Sequence, residues 1–90
     1  MENFFIQCEK EMRALGNRRR LKILFSLKRR QSYCVLDIAE ELGVSFKTAS
    51  KHLQRLFASG LVTRKQIGGE MHYRMAEIYP DHLKRLIEFL

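Results

Sequence analysis

The segment from Ser45 to Phe57 combines basic and neutral hydrogen-bonding side chains and contains no acidic residue. At helical spacing its apolar residues fall on one side, which predicts a buried stripe of Ala49, Leu53, Leu56 and Phe57. The polar groups left on the other sides include Arg55 and the candidate contact residues Ser45, Lys47, Thr48, Ser50, Lys51 and Gln54. Lysine and glutamine side chains donate to guanine and adenine edges, and hydroxyl groups bind bases or phosphates. The segment therefore predicts a helix whose polar face contacts the major groove of DNA. The simpler interpretation is an ordinary solvated helix face.

A second short amphipathic run precedes this segment and is separated from it by a glycine. Leu36, Ala39 and Leu42 recur at helical spacing in that run. Gly43 suits the position just past a helix end, where the backbone becomes left-handed. Ser45 suits the N-cap of the following helix, because its hydroxyl accepts a hydrogen bond from a free amide of the first turn. Two helices joined by this tight turn predict a helix-turn-helix with the second helix placed to enter DNA.

The remaining chain predicts elements that support this unit. Helical periodicity indicates a first helix over residues 4–15, a second over 18–28 and a last one over 76–90, with residues 31–34 as a connection. Residues 61–67 and 71–75 are β-prone, and Gly68 with Gly69 provides a two-residue hairpin turn. The predicted fold is mainly α with a small β-hairpin: a winged helix-turn-helix in the order α-α-α-α-β-β-α. It occupies residues 1–90 as a single domain.

The hairpin, or wing, carries four side chains that are candidates for DNA contact: Arg64, Lys65, His72 and Arg74. Basic side chains on such a wing bind phosphates or insert into the minor groove, which adds affinity more than sequence preference. The alternative is a solvated hairpin without a partner.

Composition limits the classes of function. The chain has 90 residues, 17 lysines and arginines against 10 acids, and a formal net charge of +7. This length leaves no room for a separate catalytic domain, and no catalytic constellation or phosphate-binding loop is present, so the chain is not predicted to be an enzyme. The charge favours a polyanionic partner, with nucleic acid ahead of a membrane surface. No apolar run is long enough to span a membrane, and the N-terminal residues do not resemble a secretory signal, so an intracellular, cytoplasmic protein is expected.

Five segments in register resemble the ArsR/SmtB (arsenical-resistance-repressor) family of winged helix-turn-helix transcription regulators. LGNRRRLKIL at residues 15–24 is similar to the family's LGDPTRLRIL, and DIAEELGVS at 37–45 to DLAEALGLS. TASKHL at 48–53 resembles STVSHHL. GLV at 60–62 and YRM at 73–75 resemble the AGLV and YYRL strands of the wing. The resemblance covers roughly residues 12–76 without a large insertion.

The resemblance implies a homodimer that binds inverted-repeat operator DNA, usually as a repressor. It also implies dimerisation through the first and last helices. The apolar side chains expected there are Phe4, Phe5, Cys8 and Met12 on the first helix and Leu83, Leu86, Ile87 and Leu90 on the last.

The family's metal-binding motifs are incomplete in this chain. The family motif ELCVCDL aligns with SYCVLDI at residues 32–38, so Cys34 is kept while Leu36 replaces the second cysteine. A soft-metal site needs two or more thiolates at suitable spacing. The last-helix site of zinc-sensing members is also incomplete, because Asp81 and His82 are adjacent rather than one residue apart. No metal and no cofactor are therefore predicted.

Two alternatives stay open. The first makes DNA binding conditional on a thiol or metal signal through Cys34 and Cys8, because a cysteine at the start of a helix often has a lowered thiol pKa. Against this, both cysteines are explained as buried free thiols of an intracellular protein. The second alternative is a winged-helix module that binds another protein and hardly touches DNA; the basic face without acids argues against it.

Overall fold

The computed structural model describes residues 1–30 and 32–90. Five helices and three strands follow one another along the chain. Their bounds are α1 Glu2–Leu15, α2 Arg18–Arg29, β1 Tyr33–Cys34, α3 Val35–Leu42, α4 Phe46–Ala58, β2 Val62–Ile67, β3 Glu70–Met75 and α5 Asp81–Phe89. This order confirms the predicted winged helix-turn-helix and adds one short strand to it. No helix in the described ranges is both long enough and apolar enough to cross a membrane.

Local chemistry fixes the turn between α3 and α4. Gly43 has a φ of 68°, in the left-handed region, and its neighbour Val44 donates an amide hydrogen bond to the carbonyl of Ala39 at 3.0 Å. The Ser45 hydroxyl accepts from the amide of Thr48 at 3.1 Å and so caps α4. Both assignments agree with the sequence prediction, because each depends only on residues close together in the chain.

The strand β1 was not predicted. Tyr33 and Cys34 pair with Tyr73 and His72 of β3, giving a three-stranded antiparallel sheet in the order β1-β3-β2. The sequence predicts a connection over residues 31–34, of which Gln31 lies outside the described residues. A strand of two residues is too short to show the alternation by which strands are identified.

The core lies between α2, α3, α4, α5 and the sheet. Its fully buried side chains include Leu24, Leu53, Leu56 and Leu61. Phe57, predicted to belong to this core, is 39% exposed, because it lies at the edge of the α4 stripe, where the guanidinium of Arg64 packs 3.9 Å from its ring centroid.

The last helix is shorter than predicted and is held by a basic residue of α2. It begins at Asp81 after Pro80 rather than at residue 76. Lys28 Nζ donates to the carbonyl oxygens of Ile87 and Glu88, at 2.8 and 2.9 Å. These are carbonyls of the last turn of α5, which lack the partners available inside a helix, although the Ile87 carbonyl also accepts from the Leu90 amide at 3.1 Å. Lys28 therefore compensates the C-terminal end of α5 in addition to lying near the end of its own helix.

Candidate nucleic-acid interface

The predicted contact residues of α4 lie on one polar surface. They differ in whether their side chains already form hydrogen bonds within the chain. Ser45 and Thr48 bond to each other: the Ser45 hydroxyl donates to Thr48 Oγ1 at 3.0 Å while capping the helix. Gln54 Nε2 donates to Ser50 Oγ at 3.0 Å. These four side chains are ordered by local hydrogen bonds, each of which leaves further donor or acceptor capacity for a ligand.

Arg55 in the last turn of α4 is an exposed cation of this surface, as are Lys47 and Lys51. Among residues 1–30 and 32–90, neither lysine forms an ion pair with an acid. The two lysines are separated by four positions, so they lie on the same side of α4, about one turn apart. A helix face with three exposed cations and four neutral polar groups is suited to contact phosphates and base edges.

The wing divides its predicted contact residues between the two faces of the sheet. Residues directly opposite each other in an antiparallel pair share a face, and the register pairs Arg64 with buried Tyr73. Arg64 is therefore on the face that packs toward α4, consistent with its contact with Phe57. Lys65 pairs with His72, and Thr63 with Arg74, on the opposite face.

Besides Arg64, which packs on the ring of Phe57, two wing residues have polar partners within the chain. His72 lies 3.3 Å from the hydroxyl of Ser32 through Nδ1 and 3.9 Å from the Glu70 carboxylate through Nε2. Arg74 Nη2 lies 3.7 Å from the carboxylate of Glu77. Arg64 and Lys65 remain the stronger candidates for DNA contact on the wing.

Behind α4, Arg20 joins three helices through its guanidinium. Its Nε donates to the carbonyl of Ala14 at 2.6 Å and its Nη2 to the carbonyl of Arg13 at 3.0 Å, both in the last turn of α1. Its Nη1 lies 3.2 Å from Nδ1 of His52 on α4. Because a guanidinium has no acceptor, the Nδ1 atom of His52 must accept, which makes this histidine neutral. The role of Arg20 was not predicted from the sequence, since its partners lie on two other helices, α1 and α4.

Burial lowers the pKa of His52, and the positive charges of Arg20, Arg19 and Arg55 lower it further. A histidine that resists protonation when folded contributes stability that is present above its unfolded pKa, about 6.5, and is lost as pH falls toward its folded pKa. We expect the free energy of unfolding to decrease on acidification from pH 8 to 5, with a His52 contribution of at most about 1.4 kcal/mol per pH unit.

Urea unfolding of the parent and of His52→Gln at several pH values measures this contribution. Glutamine keeps an acceptor for Arg20 but does not titrate, so the variant should lose less stability on acidification than the parent. Identical pH dependence in the two proteins would show that His52 does not titrate as described.

The predicted dimerisation residues separate into exposed and buried ones. Phe4, Phe5 and Met12 of α1 are about half exposed, as is Leu86 of α5, and Leu90 is partly buried. Leu83 and Ile87 are each only 1% exposed and belong to the core of the single chain. The prediction is corrected at these two positions, because α5 presents them inward to the core. The exposed apolar side chains of α5 are Leu86 at 43% and Phe89 at 91%.

The two cysteines are free and occupy different environments. Cys34 is buried beside the first turn of α3 and its Sγ donates to Asp37 Oδ2 at 3.1 Å. Burial raises the pKa of the Cys34 thiol, and hydrogen bonding to the Asp37 carboxylate adds to this. This is the opposite of the lowered pKa expected for a redox-active thiol. Cys8 is half-buried, and its Sγ lies 3.9 Å from Nε2 of His82 on α5.

Cys8 and His82 are joined by an acid that the sequence analysis did not select. Glu11 is fully buried, and its Oε1 lies 2.8 Å from Nε2 of His82. The three ligand-type atoms, Cys8 Sγ, a Glu11 carboxylate oxygen and a His82 ring nitrogen, all lie within 4.8 Å of one another. The sequence gives only a weak indication of this cluster: Glu11 comes three residues after Cys8, on a helix face otherwise lined by apolar residues.

Together, the geometry defines a winged helix-turn-helix domain with a basic exposed face on its second motif helix. The family model of bacterial regulatory proteins of the ArsR family matches residues 17–64. The cadmium resistance transcriptional regulatory protein CadC homolog of Staphylococcus aureus is 32% identical over 88% of this chain and 63% of its own length. The HTH-type transcriptional repressor SmtB of Mycobacterium tuberculosis is 35% identical over 80% of this chain and 53% of its own length.

The solved structures give the same result. The homodimeric winged helix-turn-helix DNA-binding domain Mb0332 of Mycobacterium bovis, a possible ArsR-family regulator, superposes with a TM-score of 0.83 at 33% identity. That match covers 98% of this chain and 78% of the other. The chain belongs to the ArsR family of bacterial regulatory proteins, which confirms the resemblance found in residues 12–76. This family consists of regulators, in agreement with the prediction that the chain is not an enzyme.

Proposed function

We propose that this chain binds double-stranded DNA through α4 and regulates transcription. The observation that carries the proposal is the polar surface of α4, where Lys47 and Lys51 are exposed without acidic partners in the described part of the chain. A capped helix with this surface, held on a helix-turn-helix, has the shape and charge that fit a major groove. The formal charge of +7 adds sequence-independent attraction to phosphates.

The residues have distinct roles in this proposal. Lys47, Lys51 and Gln54 extend toward base edges and phosphates, while the hydroxyls of Ser45, Thr48 and Ser50 lie closer to the helix backbone and bind phosphates. Arg64 and Lys65 reach the DNA beside α4. His72 and Arg74 contribute less to DNA binding, because their side chains already contact Ser32, Glu70 and Glu77.

The regulator is proposed to act as a homodimer on an inverted repeat, as a repressor. Exposed apolar side chains on α1 and α5, including Phe4, Phe5 and Met12, offer a surface for a second copy. The Mycobacterium bovis domain with the same fold is described as homodimeric, and the SmtB and CadC relatives are described as a repressor and a transcriptional regulatory protein. The chain spans 53–63% of the length of those two curated relatives, so the roles of their additional residues are not transferred.

The salt dependence of binding to a random-sequence duplex tests the DNA-binding proposal. We expect the affinity to fall by about a thousandfold or more between about 50 and 200 mM salt, as it does for proteins that displace counterions from several phosphates. A flat salt dependence, or no binding at the lower salt concentration, would contradict DNA binding and favour a protein-interaction module.

A further inference from the structure

The buried carboxylate of Glu11 lacks a permanently charged partner. A buried charge is costly unless an opposite charge or a metal ion compensates it. Within residues 1–30 and 32–90, the Glu11 carboxylate is paired only with the imidazole of His82 and with the uncharged amide of Gln7, whose Nε2 lies 3.3 Å from Oε2. No lysine or arginine among these residues forms an ion pair with it. The Glu11 carboxylate is therefore held away from water beside an imidazole and an amide.

The neighbours of Glu11 are Cys8 and His82, a thiol and an imidazole, which are the side chains that most often bind borderline and soft cations. His82 Nε2 is 2.8 Å from Glu11 Oε1 and 3.9 Å from Cys8 Sγ. One tetrahedral zinc ion, with bonds of about 2.0–2.1 Å to nitrogen and oxygen and about 2.3 Å to sulfur, would place such atoms about 3.3–3.6 Å apart. The observed distances bracket this range, so rotamer shifts of about 1 Å would place all three atoms around one ion.

The surroundings favour a formed site over a chance contact. Cys8 and Glu11 are separated by three residues on the same helix, so their side chains are neighbours on its surface. The ring of Phe4 packs edge-on against the ring of His82, with centroids 5.8 Å apart, and holds the imidazole from one side. His82 is 36% exposed, which leaves a path by which the ion and a water ligand enter.

We propose that Cys8, Glu11 and His82 bind one zinc ion per chain, between α1 and α5. The donor set of one thiolate, one carboxylate and one imidazole suits zinc better than magnesium or calcium, which prefer oxygen ligands only. Water fills the fourth position. The proposal departs from the sequence prediction that no metal is bound. It shares His82 with the incomplete last-helix motif, but its other two ligands, Cys8 and Glu11, lie on α1 and outside both family motifs. It does not depend on the DNA-binding proposal, because zinc binding is measured without DNA.

Binding changes the protonation of two ligands. The Cys8 thiol loses its proton to solvent and binds as thiolate, and the His82 proton lies on Nδ1 so that the Nε2 lone pair faces the ion. The Glu11 carboxylate exchanges its hydrogen bond to His82 for a bond to zinc. Two anionic ligands then neutralise the divalent ion, and the buried charge of Glu11 is compensated.

The test is metal binding by the full chain, purified under reducing conditions and stripped with a chelator. Zinc affinity is measured by competition with a chromophoric chelator, and Co²⁺ is used as a spectroscopic substitute that reports thiolate ligation by a charge-transfer band. We expect one ion per chain, a Co²⁺-thiolate band, and at least about a tenfold loss of zinc affinity in both Cys8→Ser and His82→Gln. Both side chains are partly exposed, so both variants should fold.

Cys34→Ser is the matched control, because it removes the other thiol at a place that has no contact with this cluster in the structure. It should keep the band and the zinc affinity of the parent. Zinc affinity unchanged in Cys8→Ser, or a Co²⁺-thiolate band that is lost in Cys34→Ser and kept in Cys8→Ser, would overturn the proposal. Absence of stoichiometric zinc binding by the parent would overturn it as well.

Discussion

Replacing Arg20 with alanine is expected to lower the free energy of unfolding by about 3–5 kcal/mol. Arg20 is 8% exposed, and its guanidinium supplies hydrogen bonds to two carbonyl groups at the end of α1. Removing it leaves those carbonyls and the Nδ1 acceptor of His52 without their donor, and hydrogen bonds from a charged group each contribute about 1.5–3 kcal/mol. Urea unfolding followed by circular dichroism measures the change.

Arg19→Ala is the control, since Arg19 is the adjacent residue of α2, carries the same charge and is exposed. A surface substitution of this kind should change the stability by no more than about 0.5 kcal/mol. If Arg20→Ala and Arg19→Ala had equal effects, Arg20 would not hold α1 and α4 together. At 37 °C, a loss of the expected size would leave little stability in a domain of this length.

The double substitution Lys47→Ala and Lys51→Ala is expected to weaken binding to the preferred operator by at least about a hundredfold at physiological salt. In a dimer it removes four lysines, and each lost phosphate contact lowers the salt slope by about one. The logarithmic salt slope should therefore become shallower by up to about four. The folded structure should be unaffected, because both side chains are exposed and unpaired with acids in the described residues.

A charge-matched control separates the position of these lysines from the loss of charge. Lys22→Ala with Lys84→Ala removes the same charge from exposed sites on α2 and α5. This control should retain most of the affinity and the salt slope of the parent. Equal weakening by the two double variants would mean that net charge, rather than the surface of α4, determines binding.

The sequence was sufficient where structure depends on neighbouring residues. The left-handed Gly43 and the cap at Ser45 depend on residues within four positions of the groups that they bind. The turn at Gly68 and Gly69 was predicted for the same reason, and both glycines have positive φ angles of 57° and 85°. Local stereochemistry therefore determines the helix-turn-helix and the wing.

Features formed between distant segments were not predictable from periodicity. The strand β1 exists because Tyr33 and Cys34 meet β3, about forty residues further along the chain. Apolar spacing did not show that Leu83 and Ile87 face the core, because an amphipathic pattern does not identify the surface that covers it. The neighbourhood of Glu11 and His82 depends on how α5 returns to α1, which is a property of the complete fold.

The proposed function is tested most directly by selecting bound fragments from the genome of the source organism at physiological salt, with reduced protein and no added metal. If a dimer binds DNA through α4, we expect enrichment of an inverted repeat near a promoter. Its half-sites should lie about one helical turn apart, since each α4 of the dimer contacts one half-site. The Lys47→Ala and Lys51→Ala protein should not enrich it. Recovery of no sequence-specific fragment, both here and in repeats with zinc or oxidant, would contradict the assignment of α4 as a DNA-reading helix.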